Sequence, residues 1–456
     1  MLELTTDESS TPPGPPPTEL PQWLYKFATD TFGAFVQLVE QYGEVVRFPV
    51  SPSRAFYILS RPEHVKYVLQ DNHRNYQKAV TYEYLRPILG DGLLTSEGDR
   101  WLRQRRLVAP LMGRDHIETF KRAIVESLQD LIERWDRAAE TDDPIDVASE
   151  TASLTLSVAG KILFSRDIGS YAEPIGRAMK LLFRDVNYRI TSPAPIPKSI
   201  PTPHNRRVQQ AIDELETIVY DLIDERRGRE EEFDDLLSTL MLAEYEDSGE
   251  RMSDEQVRDE VMTFLLAGHE TTSNALNWTF YLLSKHPDVR RMLEDEVDHH
   301  LENDAPTFEN LRDIDYLDMI FDEATRLYPP AWTIEREPIE DDAVGPYTLP
   351  AGSIVVVAPY FVHRNPNVWD NPEGFDPERF GPDGGAPDHR YAHFPFGGGP
   401  RKCAGADFAT IEYKLALAMI TRRFQLDLVP GSPVELEANV TMHPKDGLMM
   451  HVDHRD

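Results

Sequence analysis

Apolar residues recur at helical spacing from Thr31 to Tyr42. Val45–Val50 and Ala55–Ser60 then alternate as two strands around a Ser-Pro-Ser turn. Arg61–Gln70 is again helical, with Pro62 in its first turn. A long helical series follows, with helices expected at 99–112, 115–138, 147–163, 174–188, 205–228 and 233–244. The Pro- and Ser-rich segment 190–204 interrupts it as a loop. Ser253–Lys285 is the longest helix in the pattern, opened by a Ser253/Gln256 capping box and closed by Pro287. Helices at 287–302 and 316–327 follow. After Pro329 the chain turns β-rich, with Ile354–Ala358 the clearest strand and Val434–Val452 alternating as a hairpin. The expected fold class is mainly α with a minor β region. Residues 21–456 form one domain behind a disordered, Pro-rich tail over 1–20.

Ser253–Lys285 is apolar on most faces around Val261–Leu266, so it must run through the core. Its middle breaks that pattern with Ala267-Gly268-His269-Glu270-Thr271-Thr272. Glycine costs about 1 kcal/mol against Ala in a helix interior. A buried carboxylate and hydroxyls need partners. A solvent-facing polar stripe would also explain them, but Ala267, Glu270 and Thr271 share one face, as they would if the helix opened over a ligand.

Cys403 is the only cysteine in the 456 residues. Most lone cysteines are small buried hydrophobes. This one follows three glycines, in Phe394-Pro-Phe-Gly-Gly-Gly-Pro-Arg-Lys-Cys-Ala-Gly405, and precedes an apolar helical run to Arg423. It therefore stands at a loop-to-helix junction, where backbone N–H groups favour a thiolate.

The spacing Phe396-x-x-Gly399-x-Arg401-x-Cys403-x-Gly405 resembles the haem-binding loop of the cytochrome P450 superfamily. Three further motifs stand in that family's order. Ala267–Thr272 resembles its oxygen-activation motif. Glu323-x-x-Arg326 and the Pro377-Glu-Arg379-Phe motif resemble its paired structural motifs. The resemblance runs from about residue 33 to the end and implies the family's fold, with a long central helix over a haem. It implies Cys403 as axial ligand of the haem iron. It assigns Thr271 to a hydrogen bond with the dioxygen being activated and Glu270 to proton delivery. It makes Glu323, Arg326 and Arg379 a buried structural triad. It places Arg401, Arg105, Trp101, Arg336 and Lys78 around the haem, the cations on its propionates. Similarity to bacterial fatty-acid hydroxylases, through Ala267–Thr272 and Gly90-Asp91-Gly92-Leu93, puts Tyr84, Leu85, Ala267, Ala331 and Trp332 in the substrate pocket.

The implied activity is insertion of one oxygen atom from dioxygen into an apolar organic substrate by a haem b monooxygenase. A peroxide-driven peroxygenase, or a non-catalytic haem sensor of the same fold, would have no need of the Glu270–Thr271 pair. The sequence contains no Gly-x-Gly-x-x-Gly after a strand, so electrons are expected from a separate donor such as a ferredoxin. Arg103, Arg106, Arg114, Lys402 and Lys414 are the expected cations of its docking face.

Net charge changes the picture in two ways. At −32, with 11 lysines among the 47 basic residues, the chain resembles proteins adapted to high salt, and a haloarchaeal source is expected. The same charge argues against nucleic-acid binding. The N-terminal stretch lacks a signal peptide's basic and apolar regions, and no run of about 18 apolar residues occurs. A cytoplasmic monomer without a membrane anchor is the expectation.

Overall fold

The computed structural model describes residues 11–455 apart from 52–53, 113–116, 142, 167, 193–194, 234, 246–248, 302–305 and 307. Arg114 and the first half of the expected tail lie outside the described residues. The second half does not behave as a tail. Arg47 N–H donates to Pro13 O at 2.8 Å, and Gly14 sits so close that a Cβ there would meet Arg47 O at 1.9 Å. A helix the polar N-terminal composition hid, Leu20–Thr29, follows and buries Trp23 and Phe27.

The central helix, Asp254–Lys285, organises everything else. Its capping box is complete: Gln256 N–H donates to Ser253 Oγ (3.3 Å) and Ser253 N–H to Gln256 Oε1 (2.9 Å). At 32 residues it spans about 48 Å. Its two ends belong to different apolar cores. Val257, Val261, Met262, Leu265 and Leu266 pack with the helices Gly169–Thr191 and Pro203–Arg226. Ala275, Leu276, Phe280, Leu282 and Leu283 pack with Ile117–Thr141, Asp315–Leu327 and Ala406–Arg423. The polar stretch Gly268–Thr272 lies at the handover, where neither apolar core claims the helix.

A five-stranded sheet flanks this helical mass, in the order Val45–Ser51, Arg54–Leu59, Ile354–Val357, Ile334–Pro338, Tyr76–Lys78. Directly opposed residues share a face. Val356 opposes Ile58 and Glu335, on the face packed under the N-terminal helices with Phe35, Phe48 and Trp332. Val355 opposes Tyr57 and Arg336, on the other face with Tyr391 and Phe394.

Three expected elements are redrawn. Arg61–Gln70 is a short α-helix, Pro62–Lys66, that widens into a π turn over Tyr67–Asp71. The helix expected from Pro174 begins at Gly169 and carries that proline as its sixth residue, where the missing N–H costs one helical hydrogen bond. Val434–Val452 is not one hairpin. Leu436–Ala438 pairs with Met442–Pro444, whereas Met449–His454 pairs with Phe424–Leu428 and Ile145–Asp146.

Candidate active site

Cys403 N–H donates to Phe396 O at 3.0 Å, closing the loop into a turn that aims the thiol inward. Gly399 makes the turn possible. Its φ is 65°, and a Cβ there would meet Leu69 O at 1.8 Å, so only glycine fits. The thiol opens on an internal cavity of about 520 Å³ rather than on the outside of the molecule. Burial pushes the thiol up, while the Gly405 backbone N–H, Arg105 and Lys402 pull it down. Its helix starts only at Ala406, so the nearby backbone N–H acts on the sulfur directly, not a full helix end.

Cations converge on one rim of the same cavity. Lys78 and Arg336 are directly opposed across neighbouring strands. Lys78 Nζ donates to Leu93 O (3.1 Å) and Ser96 O (3.2 Å), and burial holds its pKa well below the usual range, with Arg401 adding to that and Glu97 opposing it. Arg401 donates to Ser96 O (3.0 Å), pairs with the Glu97 carboxylate and lies over the Trp101 ring at 4.0 Å. Burial lowers Arg401 to about 10 despite Glu97. Arg105 and Trp101 line the cavity from the helix Gly98–Val108. Two contributors escaped sequence reasoning. Glu97 fixes Arg401 and accepts from Lys78 N–H (2.8 Å), and Tyr82, beside Arg336, lines the cavity.

Across the cavity stands the central helix. Thr271 Oγ1 donates to Ala267 O at 2.6 Å, and both residues line the cavity. Thr441 Oγ1 donates to Glu270 Oε1 at 2.9 Å, while Glu270 Oε2 is buried without a partner. Burial pushes the Glu270 carboxyl up to about 7, with the Thr441 hydroxyl pulling the other way. His269 points away and is held by Thr155, whose Oγ1 lies 3.1 Å from Nδ1 and donates to the His269 carbonyl at 2.8 Å. Behind Thr272 the structure adds Glu412, fully buried, with neither carboxyl oxygen partnered. Burial holds it well above the carboxylate range, the nearby Thr272 hydroxyl opposing. Its signal was a carboxylate inside the apolar run after Cys403.

Behind the Cys loop the triad forms. Arg326 Nε and Nη2 grip Glu323 at 2.6 and 2.8 Å, and Arg379 Nε reaches Glu323 Oε1 at 3.2 Å. Glu323 and Arg326 are both 0% exposed. Leu85, Ala267, Ala331 and Trp332 line the cavity. Tyr84 does not: it packs into the apolar core beside it, and Tyr82, two residues earlier in the 3₁₀ turn Val80–Tyr84, takes the cavity position. Lys414 does not face outward; it is 9% exposed and donates to Asp318 at 2.7 Å. Lys402, Arg103 and Arg106 are exposed.

The cytochrome P450 family profile matches residues 12–451. The chain belongs to the cytochrome P450 family. It is 35% identical over 399 residues to cyclooctat-9-en-7-ol 5-monooxygenase of Streptomyces melanosporofaciens, covering 87% of this chain and 86% of that protein. It is 32% identical over 441 residues to the chloroplastic carotene epsilon-monooxygenase of Arabidopsis thaliana (91% and 81%). It is 32% identical over 413 residues to pentalenene oxygenase of Streptomyces avermitilis (90% and 90%). It is a P450 monooxygenase, and its family implies haem and a redox partner. The cavity fits that group: one thiol on its floor, an apolar body, and four cationic side chains on one rim for two carboxylates. No helix among the described residues is long and apolar enough to cross a membrane.

Proposed function

We propose that Cys403 ligates haem b, that Arg401, Arg105, Trp101, Arg336 and Lys78 hold it, and that the chain hydroxylates a bulky apolar hydrocarbon or its alcohol with electrons from a separate ferredoxin. When bound, the haem supplies the iron at which dioxygen is activated, with the Cys403 thiolate favouring O–O cleavage. The chain's residues do the rest. Arg401, fixed by Trp101, Ser96 and Glu97, would hold a propionate through its remaining N–H groups with little orientational freedom to lose. Thr271, whose hydroxyl donates to Ala267 O at the cavity wall, would be the group able to offer its hydrogen bond to dioxygen instead. Glu270 keeps its proton on Oε2, because Oε1 already accepts from Thr441, and a carboxyl near pKa 7 both gives and regains a proton at neutral pH.

The carrying observation is that Thr271 lines the cavity that Cys403 also lines, with Glu270 buried beside it in the helix and bonded to Thr441, itself a lining residue. A peroxygenase or a sensor has no use for that proton supply. The substrate class is supported by the apolar walls and by the relatives' names, which refer to carotene, pentalenene and cyclooctat-9-en-7-ol. The ferredoxin docks over Arg103, Arg106 and Lys402, an exposed basic group on a chain of net charge −32, in a cytoplasm of high salt. The test is dioxygen consumption by the holoenzyme with a ferredoxin and its reductase. Consumption that rises with added substrate and is matched by product supports the reading. Product formed with peroxide but not with dioxygen would contradict it, as would no product with either.

A further inference from the structure

One carboxyl in the cavity has no part in the chemistry above. Glu335 lies in the strand Ile334–Pro338, beside the haem-side Arg336 but on the opposite face. Its cross-strand partner is Val356, whose face carries Phe35, Phe48, Phe56 and Trp332. These aromatics, with Leu24 and Phe27 of the first helix and Val50 of the first strand, line the arm of the cavity between the N-terminal helices and the sheet. Val50 is 40% exposed, so this arm reaches the surface. Glu335 and Thr81 line the same cavity, and Thr81 Oγ1 donates to Glu335 Oε2. No described residue bonds Oε1. Arg336 gives its Nη1 hydrogen bond to the Glu335 carbonyl at 2.9 Å, not to its carboxylate.

Glu335 is half-buried and its open Oε1 is within reach of water in this arm, so a ligand that displaces that water must replace its hydrogen bond or lose affinity. The ligand must bring a hydrogen-bond donor. It must not bring a second carboxylate, because two carboxyls in one apolar site cannot both ionise cheaply. We propose that Glu335, seated by Thr81, is a specificity residue that accepts a hydroxyl of an otherwise apolar substrate and turns away carboxylic acids of the same skeleton. The substrate class is thereby narrowed to neutral alcohols, against fatty acids. This rests on the reading of the cavity as the substrate site.

The test uses one skeleton in three states, farnesene, farnesol and farnesoic acid, bound to the holoenzyme by equilibrium dialysis at pH 8. In the wild type, farnesol binds about tenfold more tightly than either of the others. Glu335→Gln, which keeps an acceptor and removes the charge, holds farnesol within about threefold and improves farnesoic acid severalfold. Glu335→Leu brings all three within about threefold. Wild-type protein that binds alcohol and acid equally, or a Glu335→Gln variant with the wild-type ratio, overturns the role of Glu335 while leaving the cavity reading intact. Binding of none of the three overturns both.

Discussion

The two ends of the cavity are built differently. At the Cys403 end, geometry is over-determined. A glycine turn admits no other residue at 399, Arg401 is held from three sides, and the triad behind it is sealed from solvent. At the far end the walls come from the first helix, two strands, the Val80–Tyr84 turn and the helix Gly169–Thr191, and they are aromatic or aliphatic side chains with few polar anchors. Chemistry that needs fixed atoms is placed on short, stiff, locally encoded segments. Substrate shape is left to side chains that approach from distant parts of the chain.

The largest effects come from the stiff end. Glu323→Ala leaves Arg326 and Arg379 buried without a counter-charge, a loss on the order of 3–5 kcal/mol. That is a large share of a typical domain's stability. A thermal melt and the yield of holoprotein should both collapse; a melt within a degree or two of wild type would show that the triad is not structural.

Next is Thr271→Ala. Haem content and substrate affinity should stay, while product per electron falls about tenfold or more and peroxide appears. Unchanged coupling would remove Thr271 from oxygen activation.

Glu270→Gln sharpens the proton supply. The Glu270 carboxyl titrates at about 7 in the folded chain against an ordinary 4.5. The folded state therefore keeps a proton that the unfolded state has released, and the stability this gives is full below 4.5 and lost as pH rises through 7. Relative to wild type, the Gln variant should gain up to about 3 kcal/mol between pH 4.5 and 7.5. Its turnover should also lose the alkaline limb near pH 7. Parallel melts across that range would contradict the burial of an unpaired Oε2.

The smallest effect is at the surface. Arg106→Glu with Lys402→Glu should slow reduction by an acidic ferredoxin about three- to tenfold at low salt, with the gap closing as salt rises. Equal rates at low salt would place the donor elsewhere. Lys414 does not belong in that experiment, because its ammonium is committed to Asp318.

The same contrast explains what the sequence disclosed. Cys403, Arg401, Glu270, Thr271 and the triad were legible because each depends on a few residues at fixed spacing. The central helix was legible because its cap and its period agree. Glu97, Glu335 and Glu412 were not: their meaning comes from Arg401, Thr81 and Thr272, residues with no sequence link to them. Tyr82 and Tyr84 differ only by which way a 3₁₀ turn faces. Leu20–Thr29 hid behind a polar, Pro-rich start, and Met449–His454 behind an alternation that cannot say which strand it pairs with.

The central claim is that the one cysteine holds the iron. The ferrous carbon-monoxide spectrum of the holoprotein tests it most directly. A strongly red-shifted Soret band in the wild type, lost in a Cys403→His variant that still retains haem, is the predicted result. The same red-shifted band in both proteins would contradict it.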